Sequence, residues 1–235
     1  GCLAHNLNYL SESLSRSMDE LREANAQLRS DMEKEREMER QRVDFFGAAS
    51  HELKTPLTIL KGHLSGMLNG VAGYEDHLKY LQRSLTVTEK METLIKELLY
   101  ISKMDTSETS LLLTNTDFAE LLRAAIAELT GLISEKKLSL HVDIPDRIGC
   151  LLDKAEMERA LQNILVNAIR YSPEGERVIV TAKETSSEIS CTVENTGVKI
   201  PETTIRYLFE PFYRVDNSRN GTTGGTGLGL YIVRG

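Results

Sequence analysis

The feature that most constrains this chain is an apolar rhythm of helical period running from Leu7 to Val71. Leu7, Leu14, Leu21 and Leu28 recur every seventh residue, and Leu10, Ser17 and Ala24 follow three places after the first three of them. Such a seam selects a coiled coil, and its small or polar second positions make the contact weak and adjustable. Strong helix formers from Asp31 to Arg42, with the pairs Glu33/Arg36 and Glu37/Arg40, extend the helix as a solvated stretch. From Val43 the rhythm resumes at positions 43, 46, 50, 53, 57, 60, 64, 67 and 71. A stripe this narrow needs neighbouring helices to cover it. Residues Asn69–Gly73 read as a turn, and a second helix from about Tyr74 to Met104 has Leu78, Leu81, Leu85, Met91, Leu94 or Ile95, Leu98 and Ile101 as its buried face. Two antiparallel helices bury little by themselves, so a dimeric four-helix bundle is the expected completion.

After the polar break Asp105–Ser110 the period changes. Helices are expected over about Asp117–Ser134 and Lys154–Tyr171, and strands over Leu138–Ile144, Gly149–Asp153, Val178–Glu184 and Ile189–Glu194. That alternation gives an α+β sandwich with helices on one face of a mixed sheet. A length of 235 residues and an apolar fraction of 40% support packed cores. The 28 basic and 35 acidic residues leave a formal charge of −7, which argues against direct nucleic-acid binding or adhesion to anionic lipid. Cys2, Cys150 and Cys191 have neither disulfide-framework nor metal-ligand spacing, so a reducing compartment is expected. No apolar run approaches the roughly 18 residues of a membrane span, and no leader opens the chain.

Four stretches can carry chemistry. Ser50–Pro56 sets His51, Glu52 and Thr55 on or beside the outer face of the first helix, just before a proline that bends or destabilises it. His51 by itself reads as a surface histidine, a metal ligand, a general base or a nucleophile. Asn163 and Asn167 lie four apart on one helix face, where they either cap structure or lend neutral amide oxygens to a hard cation such as Mg²⁺. Gly224–Gly229 leads into an apolar helix start, as a flexible loop or as a phosphate cradle open to close approach of backbone N–H groups. It has neither the lysine of a Walker A loop nor the strand of a Rossmann fingerprint. Glu194–Gly197 follows a strand, either as an ordinary turn or as a place where a side chain meets the edge of a base.

Taken in chain order, and with Leu208–Asp216 as a fifth, these stretches resemble the cytoplasmic portion of a bacterial two-component sensor histidine kinase. His51–Pro56 resembles the phosphoacceptor motif, Asn163–Ser172 the N box, Glu194–Ile200 and Gly225–Leu230 the two glycine boxes, and Leu208–Asp216 the F box. Gly1–Leu7 resembles the end of a HAMP signalling module. The resemblance implies a multidomain α and α+β protein: a coiled-coil signalling helix over 1–42, a dimerisation and phosphotransfer hairpin over 43–108, and a Bergerat-type ATP-binding domain over 116–235 that stops short of its usual C-terminal end. It implies that His51 is phosphorylated from ATP, that Glu52 orients or deprotonates it, and that Thr55 positions water when the partner is dephosphorylated. It assigns Mg²⁺ to Asn167 with help from Asn163, the phosphates to Arg170 and Arg214, and the adenine or ribose to Tyr171. Asn195 and Gly197 serve the base, Gly225, Gly227 and Gly229 pack under the lid, and the lid is 217–223. The implied partners are a response regulator receiver domain and a second copy of the chain, with a membrane reached only through a preceding sensor region.

Two residues depart from the family pattern, Asn195 for aspartate and Lys199 for glycine. Asn195 still offers an amide oxygen to the adenine amino group, whereas Lys199 removes backbone freedom. A non-catalytic dimeric scaffold with a degenerate ATP site is the alternative. Phe45–Pro56 and Asn195–Ile200 are similar to sensor kinases of glycopeptide (vancomycin) resistance.

Overall fold

The computed structural model describes residues 2–104, 111–215 and 225–234, and side chains except those of residues 2–13, 15 and 19. The expected linker 105–110 and lid 217–223 therefore lie outside the described residues. By its internal contacts the chain divides into residues 1–51 and 52–235.

Helix α1, Cys2–Leu68, is continuous for 67 residues and runs through Pro56. The ring removes the N–H that would have bonded the carbonyl of Glu52 one turn back, yet the flanking turns keep the helix intact. In the first unit Leu14, Leu21 and Leu28 are exposed along the seam. The charged stretch is laced by short-range bonds, with Gln27 donating to Asp31, Gln41 to Glu37, and Lys34 paired to Asp31 at 3.7 Å.

In the second unit α1 ends in a turn with Gly70 and Gly73 in the left-handed region, at φ 59° and 93°. Helix α2, His77–Met104, begins three residues later than the apolar rhythm suggests, because Asp76 accepts the Lys79 N–H at 3.0 Å and Glu75 accepts that of Gly73. The closed end of the hairpin is an aromatic plug. A Cβ on Gly66 would lie 2.6 Å from the Tyr74 ring, Tyr74 stacks on Tyr80 at 4.3 Å, and His63 meets the Tyr80 edge while its Nδ1 lies 3.3 Å from Ser84 Oγ. Leu94 and Ile101 are buried as expected, whereas Leu78, Leu81 and Leu85 are exposed. One chain supplies only part of the packing that the stripe demands.

The remainder is an α/β sandwich. Strand β1, Leu113–Asp117, pairs antiparallel with β3, Gly149–Asp153, and a three-stranded mixed sheet runs in the order β2 (Ser139–Asp143), β4 (Arg177–Glu184), β5 (Ile189–Asn195). Strand β1 was not expected. Its sequence Leu-Thr-Asn-Thr-Asp is mostly polar and becomes a strand through the ladder to β3, and Asp153 Oδ2 accepts the N–H of Leu112 just before it. It starts ahead of residue 116, where the sequence suggests the domain begins. The helix expected over Asp117–Ser134 breaks at Leu129 into α3, Phe118–Glu128, and α4, Thr130–Glu135. Helix α5, Lys154–Tyr171, starts where Asp153 accepts from the Ala155 and Glu156 N–H groups. Val178, Val180 and Ala182 point from β4 into a core with Leu122, Ile148, Leu161 and Leu165, the period-2 alternation of a strand covered on one face. Short helices α6, Glu202–Ile205, and α7, Gly229–Arg234, complete the described structure.

Candidate functional site

The last turns of α5 and the glycines leading into α7 form a cradle, with no Cβ at Gly225, Gly227 or Gly229. A Cβ on Gly225 would come within 2.9 Å of Arg170 Nη1 and 3.9 Å of the Tyr171 hydroxyl, and one on Gly229 within 3.0 Å of Asn163 Oδ1. Gly227, at φ 78°, lies so close that a Cβ would sit 2.8 Å from the backbone of Phe212. Phe212 is itself at φ 63° and donates its N–H to the Gly227 carbonyl at 3.0 Å. Backbone meets backbone there, and only glycine permits it. Arg234 reaches back to Glu210 at 3.7 Å, tying the end of α7 to the segment before Phe212.

Individual positions follow from their elements. Asn163 donates through Nδ2 to the Arg159 carbonyl at 3.0 Å, which leaves Oδ1 as its acceptor on the Gly229 side. Asn167, one turn on, is half-buried. The end of α5 is held by Lys136, whose Nζ donates to the carbonyls of Ile169, Arg170 and Ser172 at 3.1, 2.5 and 2.8 Å. That cation at a helix C-terminus satisfies orphaned carbonyls and opposes the negative end of the dipole. Nothing near Lys136 in sequence signals this role, because its partners lie more than thirty residues away. Arg214 is half-buried, and its buried Nε has no hydrogen-bond partner among the described residues, a donor that an acceptor such as a phosphate oxygen would satisfy.

On the other side, Asn195 ends β5, half-buried and paired with Val178. Thr196 donates through Oγ1 to Glu176 at 2.5 Å and accepts from the Arg177 N–H at 3.0 Å. Gly197, at φ 81°, would place a Cβ 2.7 Å from Glu176 Cγ. Glu176 thus braces this turn, a partner that lies across the sheet and not in the motif. Lys199 is exposed and has no positive φ, so its backbone does not require glycine. His51, Glu52 and Thr55 are exposed on α1, with Ser50 Oγ bonded back to the Phe46 carbonyl before them and Thr58 to that of Lys54 after them.

No group of three or more His, Cys, Asp or Glu side chains is placed to hold a metal among the described residues. The group placed at the cradle is instead the neutral amide of Asn163, a donor type that suits a hard cation whose charge is balanced by phosphates. No helix of the described residues is long and apolar enough to cross a membrane.

Comparison with known proteins matches residues 41–107 to the His Kinase A (phospho-acceptor) domain and residues 152–235 to the histidine kinase-, DNA gyrase B- and HSP90-like ATPase family. A phosphoacceptor hairpin followed by an ATPase of that fold, with its implied ATP site, defines the class of histidine kinase cores. The chain belongs to the two-component sensor histidine kinases. It is 30% identical over 234 residues to the sensor protein VanSB of Enterococcus faecalis, covering all of this chain and 51% of that one. It is equally 30% identical over 210 residues to the sensor histidine kinase WalK of Bacillus subtilis, covering 87% of this chain and 34% of that one. The solved structure of the Acinetobacter baumannii histidine kinase AdeS superposes with a TM-score of 0.64 at 26% identity, over 78% of this chain and 83% of that one. The chain spans about half the length of the curated relatives it matches. These matches do not favour the scaffold alternative.

Proposed function

We propose that this chain is the kinase core of a membrane-anchored sensor, placed on the cytoplasmic side and active as a homodimer. In this reading His51 takes the γ-phosphoryl group of ATP and passes it to an aspartate of a response regulator receiver domain, and the same core removes it again. The single observation that carries the reading is the approach of the Gly225–Gly229 backbone to Asn163, Arg170 and Tyr171. It leaves a floor on which backbone N–H groups and one guanidinium can meet phosphates without a Cβ in the way.

Each residue then has a role. A neutral ring nitrogen of His51 forms the N–P bond as the bond to the departing ADP oxygen breaks, and Glu52 orients the ring or accepts the proton from its other nitrogen. Arg170 and Arg214 face the phosphates, Tyr171 the adenine or ribose, and Asn195 offers its amide to the base edge beside Gly197. Asn167, helped by Asn163, holds Mg²⁺, which when bound neutralises charge on the triphosphate. Gly227 fixes the floor beneath the lid expected over 217–223. Thr55 aligns water on the phosphorylated regulator, which needs no nucleotide chemistry. The domain limits proposed are 1–42, 43–108 and 116–235, with β1 carrying the start of the last back to Leu113. Identity of 30% to both VanSB and WalK supports the class of sensor, and a glycopeptide-resistance stimulus is one assignment within it.

Incubation with γ-labelled ATP and Mg²⁺ tests this. The expected result is an acid-labile, base-stable label that is absent from His51→Gln; an unlabelled chain that also binds no nucleotide refutes it. Thr55→Ala is expected to slow dephosphorylation of a receiver domain and to spare autophosphorylation, and equal loss of both removes the Thr55 assignment.

A further inference from the structure

Helix α5 carries Arg170 and Tyr171 in its last turn, where a helix leaves carbonyls without partners and tends to fray. Here that turn is held. Ala168 accepts from the Ser172 N–H at 3.1 Å and from the Ser172 hydroxyl at 2.7 Å, and the carbonyls of Ile169, Arg170 and Ser172 all accept from Lys136. The main chain of Lys136 then reaches the far side of the turn that follows, its own carbonyl accepting the Gly175 N–H at 3.1 Å. One residue thus grips the segment 169–175 at both ends.

That segment leads straight into the other half of the site. The Glu176 carbonyl accepts the Ser139 N–H at 2.9 Å, while its carboxylate accepts from Thr196 and lies against Gly197. Between Lys136 and Ser139, Lys137 is in the left-handed region at φ 52°, with its N–H on the Ser134 carbonyl at 3.0 Å and its Nζ 2.6 Å from Glu174. Such a conformation strains a residue that has a side chain. The reversal it makes out of α4 brings residues 136–139 alongside 169–176. An ammonium on a flexible stem has three N–H donors, which matches the three carbonyls that Lys136 meets.

We propose that Lys136 is a positioning residue for nucleotide: it fixes the spacing between the phosphate end of the site at Arg170 and the base end at Gly197. This rests on the reading of Arg170 as phosphate-facing and of Gly197 as base-facing. Lys136 acts only through the backbone it holds. A ligand that spans both ends gains from a fixed spacing, as any two linked contacts do, whereas a ligand that fills one end does not.

Titration of the whole chain with ADP and Mg²⁺, and separately with adenosine, reads that difference. Lys136→Met keeps the stem and removes the donors; it is expected to weaken ADP about tenfold and adenosine by less than about twofold. Lys136→Arg, which restores N–H donors in a different geometry, is expected to bring ADP back to within about threefold. Equal loss for both ligands, or an unchanged ADP affinity, overturns the positioning role and leaves the nucleotide site standing. No ADP binding by the unaltered chain overturns both. Coupling is reciprocal, so the unaltered chain gives a second readout that needs no variant to fold. ADP with Mg²⁺ is expected to slow acetylation of Lys136 by acetic anhydride about tenfold relative to the exposed Lys137, and adenosine to leave the rate unchanged. An acetylation rate indifferent to ADP overturns the proposal.

Discussion

The hairpin and the α/β domain solve the same problem of covering apolar surface in different ways. In the α/β domain Leu122, Ile148 and Val180 are fully buried at 0% exposure, covered by strands and helices of the same chain. In the hairpin Leu57, Leu81 and Leu85 keep 55%, 52% and 61% of their surface, although they recur at helical spacing. The domain encodes a whole core, and the hairpin encodes part of one. Stability of the first is therefore a property of the chain, whereas in the proposed homodimer that of the second depends on the concentration of a second copy. The aromatic plug of Tyr74, Tyr80 and His63 is the exception, a local core that closes the loop end without a partner.

Mutation sharpens this difference. Leu165→Ala, at 2% exposure in the α/β core, is expected to cost about 2–5 kcal/mol in denaturant unfolding whatever the protein concentration. Gly227→Ala forces a Cβ onto the Phe212 backbone from a left-handed residue and is expected to cost about 1–3 kcal/mol and to abolish nucleotide binding by titration. Leu85→Ala is expected to change unfolding of a dilute single chain by no more than about 0.5 kcal/mol while lowering the dimer fraction in sedimentation. An effect of Leu85→Ala as large at low concentration as at high would break the comparison.

Two titrations carry smaller effects. Asp117 is held below its ordinary value first by the Ile148 N–H, and Asp153 by the Leu112 N–H. Because both folded values are depressed, their contribution is present above the unfolded carboxylate value and is lost as pH falls through the folded one. Unfolding midpoints measured over the acid range should fall there, and Asp117→Asn should flatten the slope. Tyr100 is pushed up to about 12, first by burial and then by its bond to Glu156. Its contribution is intact below the unfolded value near 10 and is lost as pH rises through about 12, a phenolate transition readable by absorbance and moved towards 10 in Glu156→Gln.

Much of the architecture was legible before any coordinates. Helix α5 and strand β3 have the limits read from their periodicity, since each is a segment whose pattern agrees with its caps. Strand β1 was invisible because its polar residues have no pattern of their own, and the break at Leu129 lies inside an unbroken apolar rhythm. The motif residues of the cradle were legible as types and spacings. Their supports were not: Lys136 under the end of α5, Glu176 beneath Gly197, and Tyr100 across from Glu156 are remote from every motif.

By itself, then, the sequence determined the helical hairpin, the α/β partition and the kinds of side chain available to a phosphoryl-transfer site. These depend on local period, capping and residue chemistry, all of which act over a few neighbouring positions. Only the tertiary structure decided which glycine lies against Arg170, why Phe212 and Gly227 are locked backbone to backbone, and that Tyr100 of α2 meets Glu156 at the start of α5. Those facts depend on where distant segments meet when the core closes, and no local pattern records the meeting.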